Sequence, residues 1–198
     1  PRTMNADLAR LQMVSQQVRA WEVLDSRVLE TLSTVCRELY VPSDYRDLAF
    51  ADFEIPLGHG EFMMAPKVEG RLLQALRLEP VDRVLEIGTG SGFLTACLAS
   101  LAGSVTSIDI HADFVEGARA RLQGAGVGNA EVHTEDAFRM TGSAQFDAIA
   151  VTGSVREVPR ALATLLRPGG RLFVVVGRLP VMDARLIVRQ DEDVWIEE

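Results

Sequence analysis

The sequence is short of the features that would anchor it in a membrane, bind it to nucleic acid or cross-link it. No apolar run approaches the roughly 18 residues needed to cross a bilayer, so no membrane partner is expected. The first ten residues, Pro1 to Arg10, are polar and carry no signal-peptide pattern. Cysteine is scarce: Cys36 and Cys97 both fall in apolar helical patterns, which predicts buried free thiols and a cytoplasmic chain. The three histidines, His59, His111 and His133, are scattered, and no run has zinc or calcium ligand spacing, so no metal is expected. His111 and His133 read as structural or exposed. Positive charge is in deficit, with 20 Lys and Arg against 28 Asp and Glu, a net charge of -8. That balance argues against a nucleic-acid partner, which needs a basic face. There are no repeats and no low-complexity stretches. What remains is ordinary globular composition over 198 residues, enough for one domain with a small extension.

The hydrophobic pattern changes character along the chain. Leu8, Leu11, Val14 and Val18 recur as on one face of a helix. Asp25 can cap a second helix with the stripe Val28, Leu29, Leu32, Val35 and Leu39, closed by Pro42. Residues 42–66 have no sustained period and read as a long ordered loop with short strands, a kind of segment that is usually functional. A helix is expected to start at Pro66. Strands and helices then alternate. Strands are expected at Arg83 to Ile87, Val105 to Ile108, Ala130 to His133, Phe146 to Val151 and Arg171 to Val176, with two last ones at Arg185 to Val188 and Val194 to Ile196. Helices are expected at Gly92 to Leu101, His111 to Gln123 and Glu157 to Leu166. This predicts an α/β fold, Rossmann-like, with a mostly parallel central sheet covered by helices on both faces. Residues 1–65 read as an N-terminal helical extension packed on an α/β core of residues 66–198, the two forming one structural unit.

The segment Glu86-Ile87-Gly88-Thr89-Gly90-Ser91-Gly92 turns a buried strand into a helix through three glycines at alternate positions. Glycine permits positive φ and close approach of a ligand, and ligands of open α/β sheets bind at such strand ends. A dinucleotide fingerprint has its third glycine one residue later. The spacing here, with Glu86 ahead of it, resembles motif I of the class I S-adenosylmethionine-dependent methyltransferases, E-x-G-x-G-x-G. That resemblance implies S-adenosyl-L-methionine as cofactor and Glu86, Gly88, Thr89, Gly90, Ser91 and Gly92 as its contacts, with Glu86 toward the cationic amino-acid end. Asp109, with Ile110 beside it, ends the next strand and can accept the ribose hydroxyls; capping the helix from His111 is its plainer role. Asp136 and Ala137 stand where the fold reaches the adenine; a surface turn is their plainer role.

A narrower resemblance covers most of the chain. Met13 to Pro42, the run Ile55-Pro56-Leu57-Gly58-His59-Gly60, Asp82 to Leu98, Phe146 to Thr152 and Leu166 to Gly177 are similar to segments of the protein-L-isoaspartate O-methyltransferases. This family methylates the abnormal carboxylate of isoaspartyl residues in damaged proteins, a protein-repair activity. The resemblance implies a methyltransferase, with Thr152 a further cofactor contact. In the family the G-H-G turn runs into Q-T-I-S-x-P, whose hydroxyls lie beside cofactor and acceptor. Here the same positions read Glu61-Phe62-Met63-Met64-Ala65-Pro66. His59, Glu61, Phe62, Met63 and Met64 are therefore the candidates for the acceptor site, while isoaspartyl activity is expected to be reduced or the acceptor changed. The acceptor is left open between a protein or peptide and a small molecule, and the oligomeric state is left open too. Two other readings remain: a cofactor-binding protein without catalysis, and a nicotinamide-dependent oxidoreductase.

Overall fold

The computed structural model describes residues 2–158, 160–178, 181–191 and 194–197, with the side chains of 2–5, 178, 191 and 194–197 left aside. Seven strands form one sheet in the order β5-β4-β3-β6-β7-β8-β9. They are β3 (Arg83–Ile87), β4 (Ser104–Asp109), β5 (Ala130–Thr134), β6 (Phe146–Val155), β7 (Leu166–Arg178), β8 (Val181–Asp191) and β9 (Val194–Glu197). The pairings from β5 across to β7 are parallel, and β8 and β9 follow antiparallel. Alternating side chains on each strand feed two cores. Val84, Ala148, Ala150 and Phe173 face one, and Leu85, Ile149, Val151 and Leu172 face the other. Strands apolar on both faces need cover on both. On the first face lie α2 (Ser26–Thr34), α3 (Pro66–Leu76), α4 (Phe93–Leu101) and α5 (Ala112–Gly124); the short α6 (Arg160–Ala163) packs on the second.

The first 65 residues share the first core. Met13, Val18, Val28, Leu32, Tyr40 and Ile55 pack in one cluster with Leu72, Leu73, Phe93 and Leu98. Gln74 of α3 reinforces this: its amide oxygen accepts from the N–H groups of Leu24 and Asp25 at 2.6 and 3.0 Å, while its Nε2 donates to the Glu22 carbonyl at 3.0 Å. Arg37 is wholly buried, pairs with Glu69 of α3, and donates to the carbonyls of Ala49 and Met64, each at 2.8 Å. One cation thereby ties three loop segments to α3. The long segment before α3 contains a two-stranded hairpin, β1 (Ile55–Gly58) and β2 (Glu61–Met63), as its lack of period and its glycines suggest.

Several sequence expectations need correction. Helix α1 (Arg2–Met13) and a π-helical turn, Val14–Val18, bury Arg10, Met13, Val14 and Val18, whereas Leu8 and Leu11 are more than half exposed. The widened turn rotates the buried stripe away from the one a steady 3.6 period gives. Asp25 does cap α2, accepting from the Arg27 N–H at 2.9 Å, but the helix stops at Thr34. Ser33 and Thr34 turn their hydroxyls back onto the carbonyls of Leu29 and Glu30, a competition that weakens helix ends, and Leu39 is left exposed. The last helix shrinks to Arg160–Ala163, with residue 159 outside the described residues. Pro168, Gly169 and Gly170 lie in a bulge within β7, between the pairs Phe146↔Leu166 and Ala148↔Arg171. Both thiols are free, Cys97 buried and Cys36 only half-buried. Among the described residues, no helix is long and apolar enough to cross a membrane.

Candidate functional site

The central strand β3 has β4 on one side and β6 on the other, so chain order reverses there and a crevice opens at the strand ends. A cavity of about 480 Å³ fills it. It is lined by Gly88 and Gly90 from the glycine turn, Asp109 and Ile110 after β4, Asp136 and Ala137 after β5, and Thr152 from β6. Glu61 and Phe62 of the β1–β2 hairpin form another wall. Residues from four strand ends and the hairpin thus meet around one space. A smaller cavity of about 40 Å³ adjoins it and is lined by Glu86, Thr89, Ser91, Met63 and Met64, again with Phe62, Gly88, Gly90 and Thr152. Gly92 lines neither: it has φ +84° and an added Cβ would lie 3.0 Å from Ala118 of α5, so it serves helix packing. Gly88 has φ +96° and an added Cβ would fall 2.2 Å from Thr152 Oγ1. That hydroxyl donates toward the carbonyls of Ile87 and Gly88, at 2.9 and 2.8 Å, and clips β6 to the turn.

Five N–H groups of the turn and the helix start are used inside the protein. Those of Gly88 and Thr89 donate to the Ile108 carbonyl, Gly90 to Asp109, Gly92 to the Thr89 carbonyl and Phe93 to Ser91 Oγ. A pyrophosphate needs such groups free, which disfavours the nicotinamide reading. Among the polar groups that face the space are the carboxylates of Asp109 and Asp136. Asp109 accepts from the Gly90 and His111 N–H groups, at 2.9 and 3.0 Å, which orients it and leaves lone pairs for a diol. Asp136 accepts from the Phe138 N–H at 3.0 Å, and Phe138, three-quarters exposed, offers an aromatic face at the rim. Asp136 therefore both caps a short turn and lines the cavity.

Glu86 has no exposure at all. Its Oε2 accepts from Thr95 Oγ1 at 2.5 Å and Ser107 Oγ at 2.6 Å, and its Oε1 is buried without a partner. Its carboxyl is pushed up to about 7: burial raises it most, the two hydroxyls partly offset that, and Asp109 and Glu69 add a smaller rise. A lone carboxylate oxygen beside the small cavity suits a ligand with a cationic end. The buried oxygen, the ordered Asp109 and the apolar large cavity fit S-adenosyl-L-methionine, an amino acid joined through a sulfonium to a nucleoside.

Other residues reached the site unseen in the sequence. Leu57, Phe114 and Phe138 line the large cavity because the fold turns them inward, and no periodicity marks them. His111 is a correction. It lines the cavity and stacks on His59, with ring centroids 4.2 Å apart and planes 9° apart. His59 itself holds φ +54° and bonds the Asp113 carboxylate at 3.0 and 3.1 Å.

Sheet order, crevice and polar groups define a class I methyltransferase that uses S-adenosylmethionine. Residues 9–198 match the profile of the family Protein-L-isoaspartate(D-aspartate) O-methyltransferase (PCMT), and the chain belongs to that family. It is 40% identical over 169 residues to protein-L-isoaspartate O-methyltransferase 1 of Rhodopseudomonas palustris (strain HaA2), covering 85% of this chain and 69% of that one. It is 36% identical over 184 residues to the protein-L-isoaspartate O-methyltransferase of Koribacter versatilis (strain Ellin345), covering 92% and 82%. In fold it is similar to a Plasmodium falciparum protein assigned as a protein-L-isoaspartate O-methyltransferase and solved with S-adenosyl-L-homocysteine. That likeness has a TM-score of 0.79 at 20% identity and covers 96% of this chain and 94% of the other.

Proposed function

We propose that the protein transfers the methyl group of S-adenosylmethionine to the side-chain carboxylate of isoaspartyl residues in peptides or proteins, at a turnover held down by its own hairpin. The observation that carries this reading is the hairpin wall: Glu61 and Phe62 close the same cavity that Asp109, Asp136 and the glycine turn line. Nothing in that arrangement favours a binding protein without catalysis. When bound, the cofactor supplies an electrophilic methyl on sulfur. The chain's residues hold and orient: Asp109 would take the ribose hydroxyls, Asp136 and Phe138 the base, and Glu86 the amino-acid end. A carboxylate acceptor is already a nucleophile at neutral pH, so no general base is needed. Positioning alone can contribute up to about 7–11 kcal/mol.

The hairpin sets the limit. Phe62 is 54% exposed and turned to the cavity, and Met64 lies at the smaller one with its carbonyl held by Arg37. Neither side chain can donate to an oxyanion. Bringing a carboxylate out of water against apolar surface is costly. A lost donor to a charged group is worth about 1.5–3 kcal/mol, or roughly ten- to a hundredfold in rate. The test is methyl transfer to an isoaspartyl peptide, with the normal aspartyl peptide as control. Slow but isoaspartyl-specific transfer is expected, raised at least about tenfold in a Phe62→Thr, Met64→Ser double variant. Equal turnover of both peptides, or none by either chain despite cofactor binding, overturns the reading.

A further inference from the structure

Three residues beside the large cavity, of which His111 lines it, form a cluster that the methyl-transfer reading does not use. His59 comes from the hairpin turn, and His111 and Asp113 from the start of α5; their nearest donor atoms all lie within 4.8 Å of one another. All three are at least partly exposed to solvent. We infer that His59, His111 and Asp113 form a binding site for one divalent first-row transition ion, zinc foremost, that ties the hairpin to α5.

The donor set decides the class of ion. Two imidazoles and one carboxylate suit zinc, cobalt or nickel, whereas calcium and magnesium require oxygen ligands. Zinc–nitrogen bonds of 2.0–2.1 Å place the ligands of a tetrahedral site about 3.3 Å apart. His59 Nε2 already stands 3.0 Å from an Asp113 oxygen. The stacked imidazole planes must swing about χ to converge on one ion, and His59 has the open surroundings to do so, with its side chain 46% exposed. The turn that carries it is constrained: His59 sits in the left-handed region between Gly58 and Gly60, both also at positive φ. A backbone held there presents the imidazole toward α5. Three protein ligands on an open face leave a coordination position for water, the pattern of exchangeable sites. The net charge of -8 favours cation capture. No spacing in the sequence shows this site, since its halves come from distant segments.

An ion here joins the hairpin wall to the segment whose His111 N–H binds Asp109. Metal loading is therefore expected to slow exchange of cofactor through the mouth. The experiment uses the untagged full chain. Cobalt(II) is titrated and followed by its visible absorption, and zinc is titrated against a chromophoric chelator. One equivalent bound at micromolar or tighter affinity is expected, with a tetrahedral cobalt spectrum. His59→Ala, His111→Gln and Asp113→Asn should each weaken binding at least tenfold, whereas Cys36→Ser should leave it unchanged. Circular dichroism and a titration with S-adenosylhomocysteine establish that each variant is folded. Binding weaker than micromolar, or binding unaffected by the three substitutions in folded variants, overturns the inference. Neither outcome depends on methyl transfer.

Discussion

Glu86 Oε2 is held by two hydroxyls while Oε1 has no protein partner, so its charge is costly until a cation arrives. A folded-state pKa of about 7 against the ordinary 4.5 means that the native chain keeps a proton the unfolded chain has released. The resulting stabilisation is complete below about pH 4.5 and is lost as pH rises through about 7. Urea melts across that window should show stability falling by at most about 1.4 kcal/mol per pH unit from this group. Glu86→Gln should remove that slope, and an identical pH dependence in both chains refutes the assignment. Asp109 makes a different prediction. Asp109→Ala removes the acceptor for two turn N–H groups and for the ribose. Affinity for S-adenosylhomocysteine should fall about ten- to a hundredfold by calorimetry, the usual loss of about 1.5–3 kcal/mol for charged hydrogen bonds. Unchanged affinity would remove Asp109 from the site.

At the scale of elements, the decisive piece is the β1–β2 hairpin and what anchors it. Met63 is buried in the main core, Arg37 holds the Met64 carbonyl, and the Glu61–Phe62 segment is left facing the cavity. Helix α3 begins immediately after, with Pro66 at its first position, so the acceptor wall and the helix are one continuous piece. Gly70 of that helix is packed tightly against the N-terminal segment. An added Cβ would come 2.7 Å from Cγ1 of the fully buried Val18. Alanine gains about 1 kcal/mol of helix propensity, yet overpacking a rigid neighbour costs about 1–3 kcal/mol. Gly70→Ala should therefore lower Tm, and Gly70→Val should lower it further. A raised Tm for both would show that Val18 yields. The shape of the hairpin was only partly legible in the sequence. The glycines announced a turn, but that Phe62 faces the cavity and Met63 the core follows from pairing with Ile55 and Pro56.

For the molecule as a whole, the first 65 residues are expected to be inseparable from the rest, because Leu72, Leu73 and Phe93 have their apolar partners there. A chain starting at Pro66 should lose cooperative unfolding and solubility; a cooperative melt from that truncation overturns the expectation. The βα alternation, the glycine turn and the carboxylates at strand ends were determined by sequence, since period, glycine φ and strand-end position are local properties. The strand Arg83–Ile87 and the helix start at Pro66 followed from pattern alone, and the strand expected at Ala130 to His133 runs one residue further, to Thr134. Tertiary structure decided the rest. It left Leu8 and Leu11 exposed, because a π turn reset the buried stripe. It gave Gly92 a packing role against Ala118, and it left Glu86 with one bare oxygen, because burial and partners depend on neighbours remote in sequence. It also brought His59 against His111 and Asp113. A hairpin turn and a helix start meet there only because the sheet places both at the carboxyl ends of its strands, and no local rule of spacing can express such a meeting.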